Sequence, residues 1–284
     1  MPALTLVTTV AELRRAIERL RNEDGRKDGV ALVPTMGALH DGHLSLVAAA
    51  RERTPHVVVS IFVNPTQFAP HEDFHSYPRD LDADREKLAA AKATLIFAPG
   101  PKEMYPEGFA TTVSVKGPAA GLESDFRPHF FDGVATIVAK LLTSAMPNWA
   151  IFGEKDYQQL LVVKRLVRDL HLPIEIVAVP IAREADGLAM SSRNAYLTPA
   201  ERKVAARLNL ALKDVIARLR HGASVAEAQA DGIAALKEAG FDSVDYVALR
   251  DAENLAPVNN TDWPARLLAA ARIGKTRLID NMAV

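Results

Sequence analysis

Short, mainly apolar runs alternate with segments of helical periodicity along this chain, and this alternation restricts the folds open to it more than any other feature of the sequence. Val30–Thr35 and Val57–Val63 are such runs, and apolar residues recur at helical spacing in Leu44–Arg53 and Leu81–Ala91. A strand that is apolar throughout needs cover on both faces, as in a parallel sheet between two layers of helices. The sequence therefore predicts an α/β fold built on a Rossmann-like doubly wound parallel sheet.

The pattern changes after Thr198-Pro199, where two long helical segments precede two short strands. Because the strands no longer alternate with helices, we predict a smaller C-terminal α+β domain. The expected domains are residues 1–183 and residues 184–284. The other predicted elements are helices at Val10–Leu20, Gly133–Met146, Tyr157–His171, Pro199–Arg220 and Val225–Ala239, and strands at Thr94–Ala98, Thr111–Val115, Trp149–Phe152, Ile174–Val179, Val244–Leu249 and Leu267–Ile273.

Composition excludes several classes of function. Hydrophobic residues make up 49% of the chain and charged residues 24%, which is enough apolar surface for a folded core. The formal net charge of -1 and the lack of a basic run argue against a nucleic-acid partner. The absence of cysteine excludes disulfides, thiolate zinc sites and cysteine nucleophiles. Met1–Val10 is too short and polar for a signal peptide, and no apolar run reaches the ~20 residues of a membrane span, so we expect a cytoplasmic protein with no membrane partner.

Two histidines mark the first stretch that could carry chemistry, Pro34–His43, where a predicted strand ends and a helix begins. The free N–H groups at a helix N-terminus attract anions, and Gly37 and Gly42 would let a ligand approach the backbone. His40 and His43 are one helical turn apart, so both imidazoles could face one phosphate, donate hydrogen bonds to it or carry positive charge as a leaving group departs. Two plain surface histidines, or a metal pair that lacks a third protein ligand, are the alternatives.

A lysine marks the second stretch, Phe152–Gln159, which again follows a predicted strand and opens a helix. Lys155 could neutralise a phosphate as a point charge, and Asp156 could cap the helix or bond a ribose hydroxyl. Gln159 lies one turn further on and could donate to a carboxylate. A surface turn is an equally acceptable interpretation of Gly-Glu-Lys-Asp taken alone.

The third stretch, Arg183–Asn194, places two hydroxyls and a guanidinium in succession at Ser191, Ser192 and Arg193. Such groups suit the oxygens of a triphosphate, and a loop beside a domain boundary could close over a nucleotide. Taken alone, Ser-Ser-Arg is a common and weak signal. The order of the three stretches carries more weight, and it predicts that the imidazoles, the ammonium and the serine–arginine loop converge on one polyphosphate.

Taken together, these stretches resemble the pantoate–β-alanine ligases, a family of the nucleotidyltransferase superfamily with HIGH and KMSKS-like signatures. The likeness runs through nearly the whole chain, with several long motifs in the family's order. One departure is the family's Arg-Pro-Gly-His-Phe, which here reads Arg127-Pro128-His129-Phe130-Phe131 and leaves the local loop shape open. The matching motifs are Val33–His43, Ile61–Phe68, Tyr77–Arg79, Phe152–Gln159, Ala189–Asn194 and Ala271–Asn281.

The resemblance implies a ligase that works in two steps. ATP activates (R)-pantoate as a pantoyl-adenylate with release of pyrophosphate, and β-alanine then displaces AMP to form pantothenate. The resemblance further implies Mg²⁺ with the ATP, a homodimer, a main domain that binds ATP and pantoate, and a C-terminal domain that acts as a lid. Asp82 and Asp84 are candidate magnesium ligands. The alternatives are a nucleotidyltransferase that moves AMP onto a phosphate acceptor and a nucleotide-sensing module without activity.

The resemblance also assigns roles by matching position. His43 takes the role of proton donor, and Gln67, Gln159 and Asn64 bind pantoate, with Gln67 also where β-alanine enters. Ala182 stands where the family usually has a valine near adenine, so a thinner contact is expected there. The residues that balance charge on the phosphates are His40, His43, Lys155, Ser191, Ser192 and Arg193. The implied ATP-binding residues are Pro34, Thr35, Met36, Gly37, Ala38, Leu39, His40, Asp41, Gly42, His43, Gly153, Glu154, Lys155, Asp156, Ala182, Met190, Ser191, Ser192 and Arg193.

Overall fold

The described part of the chain, a computed structural model covering residues 4–22, 29–69, 72–74 and 76–284, contains two β-sheets. It divides into two compact units. The first comprises Met1–Glu154 and Val162–Pro180, and the second comprises Lys155–Leu161 and Ile181–Val284. Each unit has its own sheet and its own apolar core.

A six-stranded parallel sheet forms the centre of the first unit. Its strands are β1 (Thr5–Val7), β2 (Val30–Thr35), β3 (His56–Ile61), β4 (Leu95–Phe97), β5 (Trp149–Gly153) and β6 (Glu175–Val179). Their order is β1-β4-β3-β2-β5-β6, so the chain builds outward from β2 on one side and then places β5 on the other. The order reverses between β2 and β5, and ligands of open α/β sheets bind at such a point, outside the carboxyl ends of the strands.

Burial explains why the central strands form. The residues of Val30–Val33 in β2 are each 1% exposed or less, and Val57, Val58 and Val59 of β3 are fully buried. Branched side chains of this kind favour extended backbone and pack well on both faces of a sheet. β2 and β3 pair in parallel along their whole length. The predicted parallel sheet and its two central strands are therefore confirmed.

The helices of the first unit follow the spacing of their apolar residues. In α1 (Val10–Asn22) the buried residues Leu13, Ala16, Ile17 and Leu20 lie on one face, as helical periodicity requires. The other helices are α2 (Asp41–Arg51), α3 (Leu81–Ala90), α4 (Pro101–Met104), α5 (Glu123–Phe126), α6 (Phe130–Ala145) and α7 (Tyr157–Asp169), of which α7 begins in the second unit. In the part of the chain that the structure describes, every helix is too short or too polar to cross a membrane.

An antiparallel sheet of three strands forms the second unit with three helices. The strands are β7 (Ser243–Asp251), β8 (Ala265–Ile273) and β9 (Thr276–Ala283), paired in that order. The helices are α8 (Pro199–Ala205), α9 (Arg207–Arg220) and α10 (Val225–Glu238). Thr198 and Ser224 begin α8 and α10, each in a capping box with the glutamate three residues on. A Cβ added at Gly232 would lie 2.6 Å from Val215, so this glycine lets α10 pack closely on α9.

Two predictions about individual elements are wrong, and two strands were missed. Thr111–Val115 belongs to neither sheet, because the amide of Val113 donates instead to the Thr136 hydroxyl (2.9 Å). The single helix predicted from Pro199 to Arg220 is two helices that meet at Ala206. Strands β1 and β9 were not predicted, since β1 has only three residues and β9 buries three polar side chains, Thr276, Asp280 and Asn281, which obscure its apolar pattern.

Candidate active site

Two histidines begin helix α2, a few residues beyond the carboxyl end of β2. His40 is the N-cap residue, and its Nδ1 accepts a hydrogen bond from the amide of Gly42 (3.1 Å). His43, at the third helical position, accepts a hydrogen bond at its own Nδ1 from the amide of His40 (3.3 Å). The two residues form a reciprocal capping box in which imidazoles replace the usual hydroxyl and carboxylate.

These hydrogen bonds decide which ring nitrogen carries the proton. A backbone N–H that points at Nδ1 needs a lone pair there, so the hydrogen bonds assign the proton of each neutral ring to Nε2. The two ring centroids are 4.1 Å apart. His40 and His43 are therefore a close pair of neutral N–H donors at a helix N-terminus, a place suited to stabilising negative charge that develops on a phosphate.

The loop before the histidines adopts a backbone conformation that few residues tolerate. Gly37 has φ +83° and Ala38 has φ +51°, both in the left-handed region. For an alanine this conformation costs about 1–2 kcal/mol, so the surrounding structure must hold it in place. Thr35 contributes, because its hydroxyl donates to the Ser60 carbonyl (2.7 Å) and accepts from the amide of Gly37 (3.3 Å).

The histidine loop, residues 36–40 between β2 and α2, lies where the strand order of the sheet reverses. It follows β2, whose neighbour β5 ends at Gly153. A Cβ added at Gly153 would meet Leu46 of α2 at 3.8 Å, so the end of β5 lies against the helix that the histidines begin. The first unit thus brings the predicted ATP-binding segment Pro34–His43 together with Gly153. Such a position is the usual ligand site of an open α/β sheet.

Gln67 lies in a short turn just beyond β3, and Asn64 is the N-cap of that turn. Asn64 is fully buried, and its Oδ1 accepts hydrogen bonds from the hydroxyls of Thr66 (3.0 Å) and Tyr105 (2.8 Å). Its Nδ2 donates to the carbonyl of Gly133 (3.2 Å). Burial raises the pKa of the Tyr105 phenol, which therefore stays a neutral donor at physiological pH. The amide of Asn64 holds the turn that presents Gln67.

Arg127 ties the same turn to the start of α6. Its Nε and one terminal nitrogen donate to the carboxylate of Glu72 (2.7 and 2.8 Å), and that terminal nitrogen also donates to the carbonyl of Gln67 (2.8 Å). The guanidinium carbon of Arg127 lies 3.8 Å from the ring centroid of Phe130. Its Nη1 atom lies 3.7 Å from Oε2 of Glu123. Phe130 stands where the related motif has histidine, so the departure supplies a stacking surface for Arg127.

Lys155 and Gln159 belong to the second unit, where strand β9 supports the lysine. The Nδ2 of Asn281 donates to the backbone carbonyl of Lys155 (2.9 Å). Asn281 is 2% exposed and accepts at Oδ1 from the Nε of Arg266 (2.6 Å). The guanidinium carbon of Arg266 lies 4.2 Å from the ring centroid of Tyr157, at the start of α7. The backbone of Lys155 is therefore fixed by buried groups of its own unit.

Strand β9 also holds the beginning of the loop that leads to Ser191. Arg183 forms a bidentate ion pair with the buried carboxylate of Asp280 (2.7 and 2.9 Å). Further along this loop, Arg202 of α8 pairs with Glu184 (2.5 Å) and Asp186 (2.7 Å). The Arg202 guanidinium holds the pKa of the Asp186 carboxyl below its usual value, because the hydrogen bond favours the ionised form. Ion pairs of Arg183 and Arg202 therefore hold this loop in place.

The serine–arginine segment is ordered by local hydrogen bonds. The amide of Met190 donates to the carbonyl of Ala182 (2.9 Å), next to an antiparallel bridge between Arg183 and Ala189. The two ends of the loop are therefore paired with each other. Ser191 caps a short turn that runs Ser192–Tyr196, and its Oγ accepts from the amide of Arg193 (3.2 Å). All five of these predicted site residues thus lie in one continuous structure within the second unit.

Sequence reasoning missed the residues that hold the predicted site in shape. Asp84 is 2% exposed and accepts the amides of Ala38 (2.9 Å) and Leu39 (2.8 Å), and so serves the loop rather than standing open to a metal ion. Asp280 and Asn281 lie in the last of the matching motifs. They are two adjacent polar residues with apolar neighbours on both sides, Ile279 and Met282, and this is a signal that could have identified them, because buried polar groups need partners.

No group of three or more His, Asp or Glu side chains in the described ranges is placed to hold a metal ion. Asp82 is exposed on α3. Mg²⁺ commonly uses only one or two carboxylates together with substrate phosphates and waters, so a dedicated protein cage is not needed for it.

The fold and the site together define an α/β protein of the Rossmann-like class, with a histidine-capped helix at the reversal point of its sheet. Comparison with known sequences gives the family. The chain belongs to the pantoate–β-alanine ligase family: the sequence profile described as "Pantoate-beta-alanine ligase" matches residues 5–283.

Individual relatives agree along their whole length. A pantothenate synthetase of Nitrobacter winogradskyi is 56% identical, with 100% of this chain and 99% of the relative covered. The crystal structure of pantothenate synthetase from Thermus thermophilus superposes with a TM-score of 0.92 at 52% identity, covering 98% of this chain and 99% of that one. A pantoate-beta-alanine ligase from Francisella tularensis, described as complexed with beta-gamma ATP and beta-alanine, has a TM-score of 0.82 at 33% identity, covering 99% and 97%.

Proposed function

We infer that this chain is an ATP-dependent ligase that joins pantoate to β-alanine and forms the C–N bond of pantothenate. The observation that carries the inference is the match of residues 5–283 to the ligase family, at 56% identity to a relative named pantothenate synthetase. The Francisella tularensis relative, described with an ATP compound and β-alanine, supports two of the three substrates.

We propose that the reaction passes through a pantoyl-adenylate. A carboxylate oxygen of pantoate attacks the α-phosphorus of ATP, the bond from that phosphorus to the bridging oxygen breaks, and pyrophosphate leaves. The amine of β-alanine then attacks the acyl carbon, loses a proton and displaces AMP. Transfer of this kind depends on positioning and on stabilising charge rather than on a covalent enzyme intermediate.

The histidine pair is the proposed source of charge stabilisation in the first unit. The assigned tautomers support this role, because Nε2–H of His40 and of His43 can donate to phosphate oxygens, with His43 as proton donor. In the second unit, the proposed contributors are Lys155, Ser191, Ser192 and Arg193. The rest of the proposed ATP site consists of Pro34, Thr35, Met36, Gly37, Ala38, Leu39, Asp41, Gly42, Gly153, Glu154, Asp156, Ala182 and Met190.

Amide side chains are the proposed ligands of pantoate. Gln67 is presented by a turn that Asn64 and Arg127 hold from two sides, which supports a fixed orientation. Gln159 lies near the start of α7 in the second unit. The Nδ2 group of Asn64 carries two hydrogens, and one of them is donated to the carbonyl of Gly133. Asn64 would bind pantoate through the second hydrogen.

Four further properties are proposed from the resemblance. Mg²⁺ would be held chiefly by the phosphates of ATP, where it would neutralise charge on their oxygens. The protein would be a cytoplasmic homodimer, and residues 184–284 would act as a lid over substrates bound by residues 1–183. Light scattering on the purified protein would measure the number of subunits.

The deciding experiment follows pyrophosphate and AMP with ATP and pantoate present, with and without β-alanine. A ligase exchanges pyrophosphate into ATP when pantoate alone is added, and it releases AMP freely only when the amine is supplied. Transfer of AMP to a phosphate acceptor without pantoate would identify a nucleotidyltransferase instead. ATP binding without turnover of any acid would identify a sensing module. α-Alanine in place of β-alanine serves as the control amine.

A further inference from the structure

Two side chains of helix α3 form hydrogen bonds to the backbone of the histidine loop. Asp84 accepts the amide of Ala38 at Oδ2 (2.9 Å) and the amide of Leu39 at Oδ1 (2.8 Å). Lys87, three residues later and so on the same helix face, donates from Nζ to the carbonyl of Leu39 (2.6 Å). One helix therefore binds both polar groups of the Leu39 backbone and the N–H of the residue before it.

Burial strengthens the hydrogen bonds that Asp84 accepts from the loop. Asp84 and Leu39 are each 2% exposed, so their hydrogen bonds form away from water, where bonds to a charged group are strongest. A Cβ added at Gly37 would lie 3.0 Å from Oδ2 of Asp84, which shows how closely the loop and the carboxylate pack. Successive N–H groups around left-handed residues form a concavity that binds anions. In this loop the carboxylate of Asp84 fills it.

We propose that Asp84 and Lys87 are positioning residues that preset the histidine loop for ATP, an inference that rests on the proposed function. Because Asp84 occupies the amides of Ala38 and Leu39, a phosphate is directed to the imidazole Nε2 atoms and not to those amides. The amide of His40 follows Leu39 directly and bonds the ring of His43. A shift of Leu39 is therefore passed to both imidazoles.

This role differs from that of a magnesium ligand. Both oxygens of Asp84 already accept amide hydrogens, and its exposed fraction of 2% leaves little room for an ion with its waters. A positioning carboxylate and a metal-binding carboxylate predict different responses to Mg²⁺ when the charge is removed. The difference makes the assignment testable.

The test compares Asp84→Asn and Lys87→Met with Glu86→Gln, which changes an exposed carboxylate on the same helix. Asparagine keeps the size of aspartate but turns an NH₂ group toward one of the two amides, so one bond is lost and a repulsion replaces it. We expect pantoate-dependent exchange of pyrophosphate into ATP to fall about tenfold to a hundredfold in Asp84→Asn, and less in Lys87→Met. The KM for ATP should rise, while the KM for pantoate and the Mg²⁺ requirement stay unchanged.

A second readout needs no substrate. Nitrogen NMR of the ligand-free protein should show protons on Nε2 of His40 and His43 in the wild type and in Glu86→Gln, and mixed tautomers in Asp84→Asn. Unchanged ring signals with unchanged exchange, or a raised Mg²⁺ requirement, would overturn the proposal. If Asp84→Asn does not fold, Lys87→Met decides by the same measurements. Altered ring signals in a protein whose wild type lacks exchange activity would support the positioning role and reject the proposed function.

Discussion

The histidine loop of the first unit and the serine–arginine loop of the second are held by different kinds of interaction. The histidine loop is short, with Gly37 and Leu39 buried, and the carboxylate of Asp84 accepts two of its amides while Ala38 stays in the left-handed region. The serine–arginine loop is longer and half-exposed, and ion pairs of Arg183 and Arg202 hold it by its side chains.

Because they are held differently, the two loops should respond differently to substitution. Backbone hydrogen bonds in a buried site fix atoms to within a few tenths of an ångström, which suits groups that must meet a reacting phosphate. Partly exposed ion pairs weaken with salt and with acid, so a loop held by them is more easily displaced. We therefore expect substitutions in the first loop to change the rate and substitutions around the second to change stability first.

The largest effect is expected from His43→Ala, which removes the proposed proton donor to the phosphates. Exchange of pyrophosphate into ATP should fall by about a hundredfold to a thousandfold. The free energy of unfolding should fall by only about 1 kcal/mol, because the ring of His43 also accepts the amide of His40 in the capping box. His129→Ala is the matched control, because that histidine is exposed and its side chain makes no capping bond to α6. A near-normal rate in His43→Ala would remove this residue from the proposed mechanism.

The next effect is expected from Asp280→Asn, which leaves the Arg183 guanidinium without its buried carboxylate. Losing one partner of a buried pair should lower the free energy of unfolding by about 3 kcal/mol, measured by urea denaturation. Asp231→Asn breaks an ion pair of the same unit whose two side chains are about half exposed, and it should cost less than about 1 kcal/mol. Equal losses in the two variants would show that burial does not distinguish these pairs.

A gain in stability is expected from Asn209→Leu in α9. Asn209 is fully buried, and neither polar atom of its amide has a hydrogen-bond partner among the described residues. Leucine has the same number of side-chain heavy atoms and removes the cost of the unsatisfied amide, so unfolding should require about 1 kcal/mol more. A lower melting temperature would indicate that leucine, which is branched tetrahedrally where the amide is planar, clashes with Gly187. The two residues are already close, since a Cβ built at Gly187 would lie 2.7 Å from Oδ1 of Asn209.

The smallest effect concerns acid. Because Arg202 holds the pKa of Asp186 below its usual value, the pair stabilises the fold at neutral pH, and this contribution disappears as the pH falls through the lowered pKa. Asp186 is largely exposed, so the contribution should stay below about 1 kcal/mol. Asp186→Asn should therefore be less stable than the wild type at pH ~7, and the difference should shrink toward pH ~3. A constant difference across this range would contradict the assignment.

Some features of this protein were determined by local sequence alone. Apolar runs such as Val30–Val33 predicted the strands of the parallel sheet, because burial on both faces favours apolar residues at successive positions. The place of His40 and His43 at a helix start was also predictable, since capping depends on neighbours within a few residues. Thr111–Val115 shows the limit of such signals, because a strand also needs a partner.

The contacts that hold the site in shape join segments far apart along the chain. Leu39 bonds to Asp84, 45 residues away, and the carbonyl of Lys155 bonds to Asn281, 126 residues away. The strand order that places β5 beside β2 is likewise a property of the whole sheet. Periodicity and capping report on a residue's neighbours along the chain, whereas these contacts depend on how distant segments pack once their apolar surfaces are buried.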